Sequence, residues 1–324
     1  MNTSINSRTH TRFTLRRLII RISIVLALVL TIDQLTGFAF DKLRMMALRY
    51  GKTKPVAEYT MQEVRADVLI MGNSRASHHY VPSILEDSLK MSVYNCGNDG
   101  QSFAYSAAMI HAVLKRYTPS MIILDVENEQ FDPVLNEYFQ SDVLYPYVDS
   151  DSVIRSVLWH EDPLNRYKLR SKMYRNNSQL VDILKYMVLA YPYEKGYDAL
   201  PAEGYNYPTV RKVHYNPSAP ADTFMLHMLQ GTIDVCRRAG VELVLVVSPK
   251  YQESNAHKVA SYTSLAAMAR SNELTFLDFG DYRQVGDSTF FKDAAHLNGR
   301  GAEEFTRRVG ATLRCAGWRY ATLR

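Results

Sequence analysis

A chain of 324 residues, 47% of them apolar, is long enough for one sizeable core, organised as one domain with insertions. Its formal net charge of +5 is not a nucleic-acid footprint: Arg8, Arg12, Arg16, Arg17 and Arg21 all precede the first acidic residue, and without them the chain is close to neutral. The three cysteines, Cys96, Cys236 and Cys315, fit no zinc spacing and read as small buried or partly buried thiols, with a Cys236–Cys315 disulfide open to an exported domain.

The amino terminus is a membrane signal. The arginines stand before an apolar run, Ile22 to Ile32, which extends to 18–40 only by admitting Arg21 and Asp33. It reads as an uncleaved anchor or as a cleaved signal peptide, with the Gly37-Phe38-Ala39 triplet as a weak cleavage site. Either reading leaves the arginines in the cytoplasm and everything beyond about residue 40 outside it. Residues 41–62 follow as a helical or irregular connector, broken by Gly51 and Pro55.

Five short apolar segments then punctuate the chain: Val68–Met71, Ser92–Asn95, Met121–Val126, Val241–Val247 and Leu274–Asp278. Near-continuous apolar runs of this length suit strands buried on both faces. Helical patterns lie between and after them, at Pro82–Lys90, Ser102–Tyr117, Thr223–Ala239, Ser254–Ser271 and Gly301–Leu313. The alternation predicts an α/β fold with a parallel sheet. Residues from about 130 to 222 break the rhythm. They are rich in Tyr, Arg and Asn, carry helical pieces near Val153–Trp159 and Gln179–Leu189, and read as an insertion packed over the top of the sheet. Its tyrosines, among them Tyr145, Tyr147, Tyr191, Tyr193, Tyr205 and Tyr207, offer faces for sugar rings or for packing against proline.

Two motifs carry chemistry. Gly72-Asn-Ser-Arg75 places Ser74 just beyond the carboxyl end of the first strand, where open α/β sheets bind ligands. Asp293 precedes His296 by three residues, just before the last helix. A serine hydroxyl needs a neighbouring base to act as a nucleophile; a histidine supplies it, and a carboxylate orients the histidine and stabilises its charged form. His78 and His79 are closer to Ser74 in sequence, but only His296 comes with an aspartate. Arg75 is a candidate for binding an anionic substrate group or for a surface ion pair. No P-loop, dinucleotide fingerprint or metal-ligand cluster is present, and no cofactor is expected.

Together, Gly-Asn-Ser-Arg after the first strand and Asp-Ala-Ala-His-Leu-Asn-Gly before the last helix resemble the SGNH/GDSL hydrolase family, over about residues 64–130 and 240–315. The Gly-Asn-Ser-Arg form is similar to its membrane-anchored exported members, which include polysaccharide O-acetylation and teichoic-acid D-alanine transfer proteins. The resemblance implies a three-layer α/β/α sandwich around a mainly parallel five-stranded sheet, occupying residues 63–324 and carrying the insertion. It also implies an oxyanion hole made by the Ser74 N–H, a glycine after the second strand and an asparagine after the third. Gly97 is the preferred glycine and Gly100 its rival, also as a substrate contact. The third block reads Asp125-Val-Glu-Asn-Glu129, lacks the family glycine and displaces Asn128; Asn95 and Asn73 are alternatives.

The expected activity is ester hydrolysis or O-acyl transfer on an acylated envelope or exported carbohydrate, with a membrane-bound O-acyltransferase as candidate partner. The expected location is the bacterial cytoplasmic (inner) membrane, spanned once, with the catalytic domain outside. The alternative is an inactive scaffold of a polysaccharide acylation or export complex.

Overall fold

A computed structural model describes residues 5–134, 141–201 and 209–315. Its centre is a five-stranded parallel sheet of β1 (Val68–Met71), β2 (Val93–Asn95), β3 (Met121–Asp125), β5 (Glu242–Val247) and β7 (Thr275–Asp278), in the order β2-β1-β3-β5-β7. Every pairing is parallel. Side chains alternate between the two faces along each strand. Val68, Ile70, Met121, Ile123, Val244 and Val246 enter one core, with Leu85, Phe305 and Val309 from α4 (Pro82–Leu89) and α12 (Gly299–Cys315). Leu69, Met71, Ile122, Leu124, Leu243 and Leu245 enter the other, against α5 (Phe103–Leu114) and α10 (Thr223–Ala239). The strands are therefore apolar without a break because both faces are covered, and the three-layer sandwich follows. Each such side chain contributes about 1.5–3 kcal/mol on burial.

The local signals place the helix ends. Asp222 caps α10 by accepting from Phe224 and Met225 N–H, and Gly240 closes it at φ 70°. The segment before α11 (Ala260–Ser271) corrects the expected helix at 254–271. Residues Gln252–Ser254 instead form β6, paired in parallel with β4 (Arg211–Val213), a polar ribbon outside the main sheet.

The apolar amino-terminal run lies in α1 (Ile5–Tyr50), an unbroken helix that continues past residue 40 and ends at Gly51. Its stretch from Leu15 onward is the one helix among the described residues that is long and apolar enough to cross a membrane. The short α2 (Val56–Gln62) leads into β1.

The insertion divides in two, which corrects its expected place over the sheet. Helices α6 (Ser152–Glu161), α7 (Asn165–Lys168), α8 (Lys172–Asn177) and α9 (Leu180–Val188) form the first part. Of these, α6 packs on α5, while α8 and α9 pack along α1. The second part, near residues 194–200, returns to the sheet edge: Lys195 O accepts from Asn95 N–H, and Asp198 N–H donates to Ser77 O. Tyr147 is buried beneath the Arg44 guanidinium and is closed to any sugar; Tyr145 stacks on Tyr174, and Tyr191 on Tyr193. Tyr205 and Tyr207 lie outside the described residues. All three cysteines are free, Cys96 and Cys236 buried, so no Cys236–Cys315 disulfide forms.

Candidate active site

Ser74 opens α3 (Ser74–His79), which begins directly after β1 and Gly72-Asn73. Asn73 caps it, its side-chain oxygen accepting the Arg75 N–H at 3.0 Å. Across the sheet edge, the loop before α12 is a tight turn: Asp293 Oδ1 accepts from the Ala295 and His296 N–H groups at 2.7 and 2.9 Å. Asn298 ties the loop to the helix, accepting from Gly301 N–H and donating to Thr289 O.

The two ends meet. Ser74 Oγ lies 2.8 Å from His296 Nε2, and His296 Nδ1 lies 3.0 Å from both Asp293 oxygens. A carboxylate only accepts, so Nδ1 carries the proton; Nε2 is then the free lone pair facing the serine hydroxyl. Burial pushes the Asp293 carboxyl up, but the His296 ring and the two backbone donors outweigh it and hold it below the ordinary carboxylate value. Its side chain remains 53% exposed, so its charge is partly solvated.

Both other histidines of α3 point at this site, which residue spacing alone did not reveal. His78, one turn after Ser74, sits with its ring centroid 5.7 Å from that of His296. Its Nε2 is 3.0 Å from Asp99 Oδ2 and its Nδ1 is 2.7 Å from Asp198 O. Both partners can only accept, so both nitrogens are protonated and the ring is an imidazolium. Burial lowers its pKa, yet Asp99 and the Asp198 carbonyl more than offset this and raise it. His79 is the opposite case. Fully buried, it accepts the Leu297 N–H at Nε2 (3.0 Å) and faces Ser248 Oγ with Nδ1. Burial, with Arg75, His296 and His78 nearby, drives its pKa far down, so it is neutral. It fixes the residue next to His296.

Several expected ligand contacts prove structural. The Arg75 guanidinium is buried, pairs with Asp125 and Glu127 at 3.1 and 3.2 Å, and donates to Ser248 O and Val126 O; it cannot reach a substrate anion. Against the pull of burial, Arg75 and Lys250 hold the Glu127 carboxyl well below its ordinary range. The Gly97 N–H donates to Asn95 Oδ1 at 2.9 Å, so it is not a vacant oxyanion donor. A glycine stands there because a Cβ would come within 2.2 Å of Ser77 N, where the loop crosses α3. Asn95 spends its amide on Ala76 O and Tyr80 O, and Asn73 spends its own on Glu127. Asn128 is buried, and its Nδ2 is the one amide nitrogen of the three expected asparagines without a hydrogen-bond partner among the described residues. Gly100 is exposed in the loop after β2, at φ 70°. A polar cavity of about 220 Å³ opens beside Asp99, lined by Glu58, Asn98, Gln101, Gln179 and Tyr186 among others.

No family model and no curated protein matches the chain. Among solved structures, it is similar to a putative lipolytic protein of the G-D-S-L family from Desulfitobacterium hafniense, at 10% identity and TM-score 0.39 over 76% of this chain and 98% of that one. A putative acylhydrolase from Bacteroides fragilis matches at 12% identity and TM-score 0.39, over 80% and 94% of the two chains. A family two carbohydrate esterase from Clostridium thermocellum, solved with cellohexaose, matches at 9% identity and TM-score 0.39, over 78% and 65%.

Proposed function

We propose that this chain is a serine ester hydrolase or O-acyltransferase of the SGNH/GDSL type, with Ser74 as nucleophile, His296 as base and Asp293 as its orienting carboxylate. The observation that supports it is the continuous line from Ser74 Oγ through the His296 ring to the Asp293 carboxylate, with the tautomer set by that carboxylate. In this mechanism His296 Nε2 takes the hydroxyl proton as Ser74 Oγ bonds to the ester carbonyl carbon. The Ser74 N–H, at the head of α3 and ahead of its first internal hydrogen bonds, receives the oxyanion, and Asn128 Nδ2 is the candidate second donor. His296 returns the proton to the leaving alkoxide. Water, or a sugar hydroxyl, then releases the acyl group by the same steps in reverse.

The substrate we infer is an acylated carbohydrate of the cell envelope. What supports a polyhydroxy ligand is the cavity beside Asp99, whose lining includes the hydrogen-bonding side chains of Asn98, Gln101 and Gln179. In this reading α1 anchors the chain in the cytoplasmic membrane, with Arg16, Arg17 and Arg21 on the cytoplasmic side and the sheet outside.

Labelling the full-length protein with a fluorophosphonate tests the nucleophile independently of the acceptor. Ser74 should carry the adduct, and Ser74→Ala should lose both the label and hydrolysis of an aryl acetate. Unchanged labelling in Ser74→Ala would sink the assignment.

A further inference from the structure

The insertion touches α1 at a depth that bears on what else meets the membrane. Asp33 lies inside the apolar stretch of α1, and its carboxylate is satisfied by the start of α8. It accepts from Ser171 Oγ, and from the Lys172 and Met173 N–H groups at 3.0 and 3.1 Å. One turn further, Gly37 lets the two segments cross closely, since a Cβ there would come within 2.2 Å of Lys172 Cβ. Exposed apolar side chains continue on α1 to Phe38, 57% exposed. That is about 7.5 Å beyond Asp33 toward the domain, at 1.5 Å per residue. From Leu18 to Phe38 the helix spans about 30 Å, the thickness of a bilayer's hydrocarbon core. The α7–α8 corner is therefore pinned level with side chains that α1 presents to lipid.

The corner has the composition for that depth. Leu164, Tyr167 and Met173 are 57%, 59% and 45% exposed, outside any core. Around them stand Arg166, Lys168, Arg170 and Lys172, and no acidic residue occurs from Pro163 to Val181. Lys168 is paired with Asp162, but Arg166, Arg170 and Lys172 form no ion pair among the described residues. Arg170 lies over the Tyr167 ring, 5.5 Å from its centroid. Exposed aliphatic and tyrosine side chains beside cations that are mostly free of ion pairs are what the boundary between acyl chains and headgroups accommodates.

We propose that the α7–α8 corner is a second membrane contact, seated at the boundary between hydrocarbon core and headgroups on the domain side of the bilayer, with Leu164, Tyr167 and Met173 at the acyl edge and its cations reaching outward to anionic lipid phosphates. The contact rests on the reading of α1 as an anchor. It holds the domain at a fixed tilt above the membrane instead of leaving it on a free stalk.

Tryptophan quenching tests it on the full-length chain in nanodiscs of brominated phosphatidylcholine and phosphatidylglycerol. The two native tryptophans are first removed by Trp159→Phe and Trp318→Phe. In that background Tyr167→Trp should lose at least about half its emission relative to unbrominated discs, as expected of an interfacial side chain. Leu26→Trp in the anchor should be quenched too, and Glu303→Trp, exposed on α12, should not. Quenching at residue 167 should weaken in discs of phosphatidylcholine alone; equal quenching would overturn the phosphate contact. An unquenched Tyr167→Trp beside a quenched Leu26→Trp overturns the proposal and leaves the anchor standing. Loss of both signals instead removes the anchor reading itself. A Tyr167→Trp shielded from both lipid bromine and aqueous acrylamide would mean that protein, such as a second copy, covers the corner.

Discussion

Two histidine–carboxylate pairs lie side by side at the edge of the sheet, His296 with Asp293 and His78 with Asp99, their rings 5.7 Å apart. Each has one ring nitrogen on a carboxylate, and they differ in what faces the other. His296 Nε2 faces a hydroxyl, which can give up a proton; His78 Nδ1 faces a backbone carbonyl, which cannot. The first ring therefore keeps a basic lone pair and the second has none. Distance to Ser74 along the chain would favour His78, only four residues on. The chemistry of the far-side partner selects His296, 222 residues away.

The comparison breaks most sharply on the rings themselves. His296→Gln should lower kcat/KM for an aryl acetate by at least about 10³-fold, while His78→Gln should cost less than about 10-fold. Equal losses would mean that the two pairs have been assigned the wrong way round. Asp293→Asn comes next. The amide keeps the turn by accepting from Ala295 and His296 N–H, but it presents N–H to His296 Nδ1 and favours the wrong tautomer. Because Asp293 is half exposed, we expect a loss of about 10²–10³-fold, below that of a buried triad aspartate, with KM little changed. A smaller effect is expected from His79→Phe, which leaves the buried Leu297 N–H without an acceptor. Denaturant unfolding should show a loss of about 1–3 kcal/mol, and kcat should fall because the residue beside His296 is no longer held.

How much of this the sequence announces depends on how local each interaction is. The strands and flanking helices are legible because both faces of the sheet are covered, so the apolar runs are unbroken. Ser74, Asp293 and His296 are legible because each sits in a short motif whose turn is built from its own neighbours, such as Asp293 capping the backbone of 295 and 296. The misread residues have partners far off in the chain. Arg75 follows the serine and looks like an anion ligand, yet its countercharges are Asp125 and Glu127 of the third block. The residues that depart there from the SGNH pattern are thus the ones that neutralise Arg75. Gly97 looks like a vacant donor until Asn95 is seen to fold back onto it. Asp99 and Asp198, which make His78 an imidazolium, come from a sheet-edge loop and from the insertion, and no spacing rule joins them.

That last assembly gives the mildest and most diagnostic effect. His78 has a folded pKa raised above the ordinary ~6.5. The group that faces Nε2 is Asp99 of the loop after β2, and Nδ1 faces the Asp198 backbone, with the Asp198 carboxylate 3.9 Å away and the His296 ring edge-on beside it. A raised folded pKa means that the stability it contributes is fully present below pH 6.5 and is lost as pH rises through the folded value. His78→Gln removes the charge and with it the dependence. Asp99 is mostly solvated, so the contribution is that of a screened pair. At pH 6 the substitution should lower Tm by about 1–3 °C, and the gap between variant and parent should narrow as pH rises toward 9. A gap that widens with pH would mean that His78 is buried neutral, like His79. Its Nδ1 or Nε2 would then be free of its acceptor, and the distinction between the two histidine–carboxylate pairs would fall.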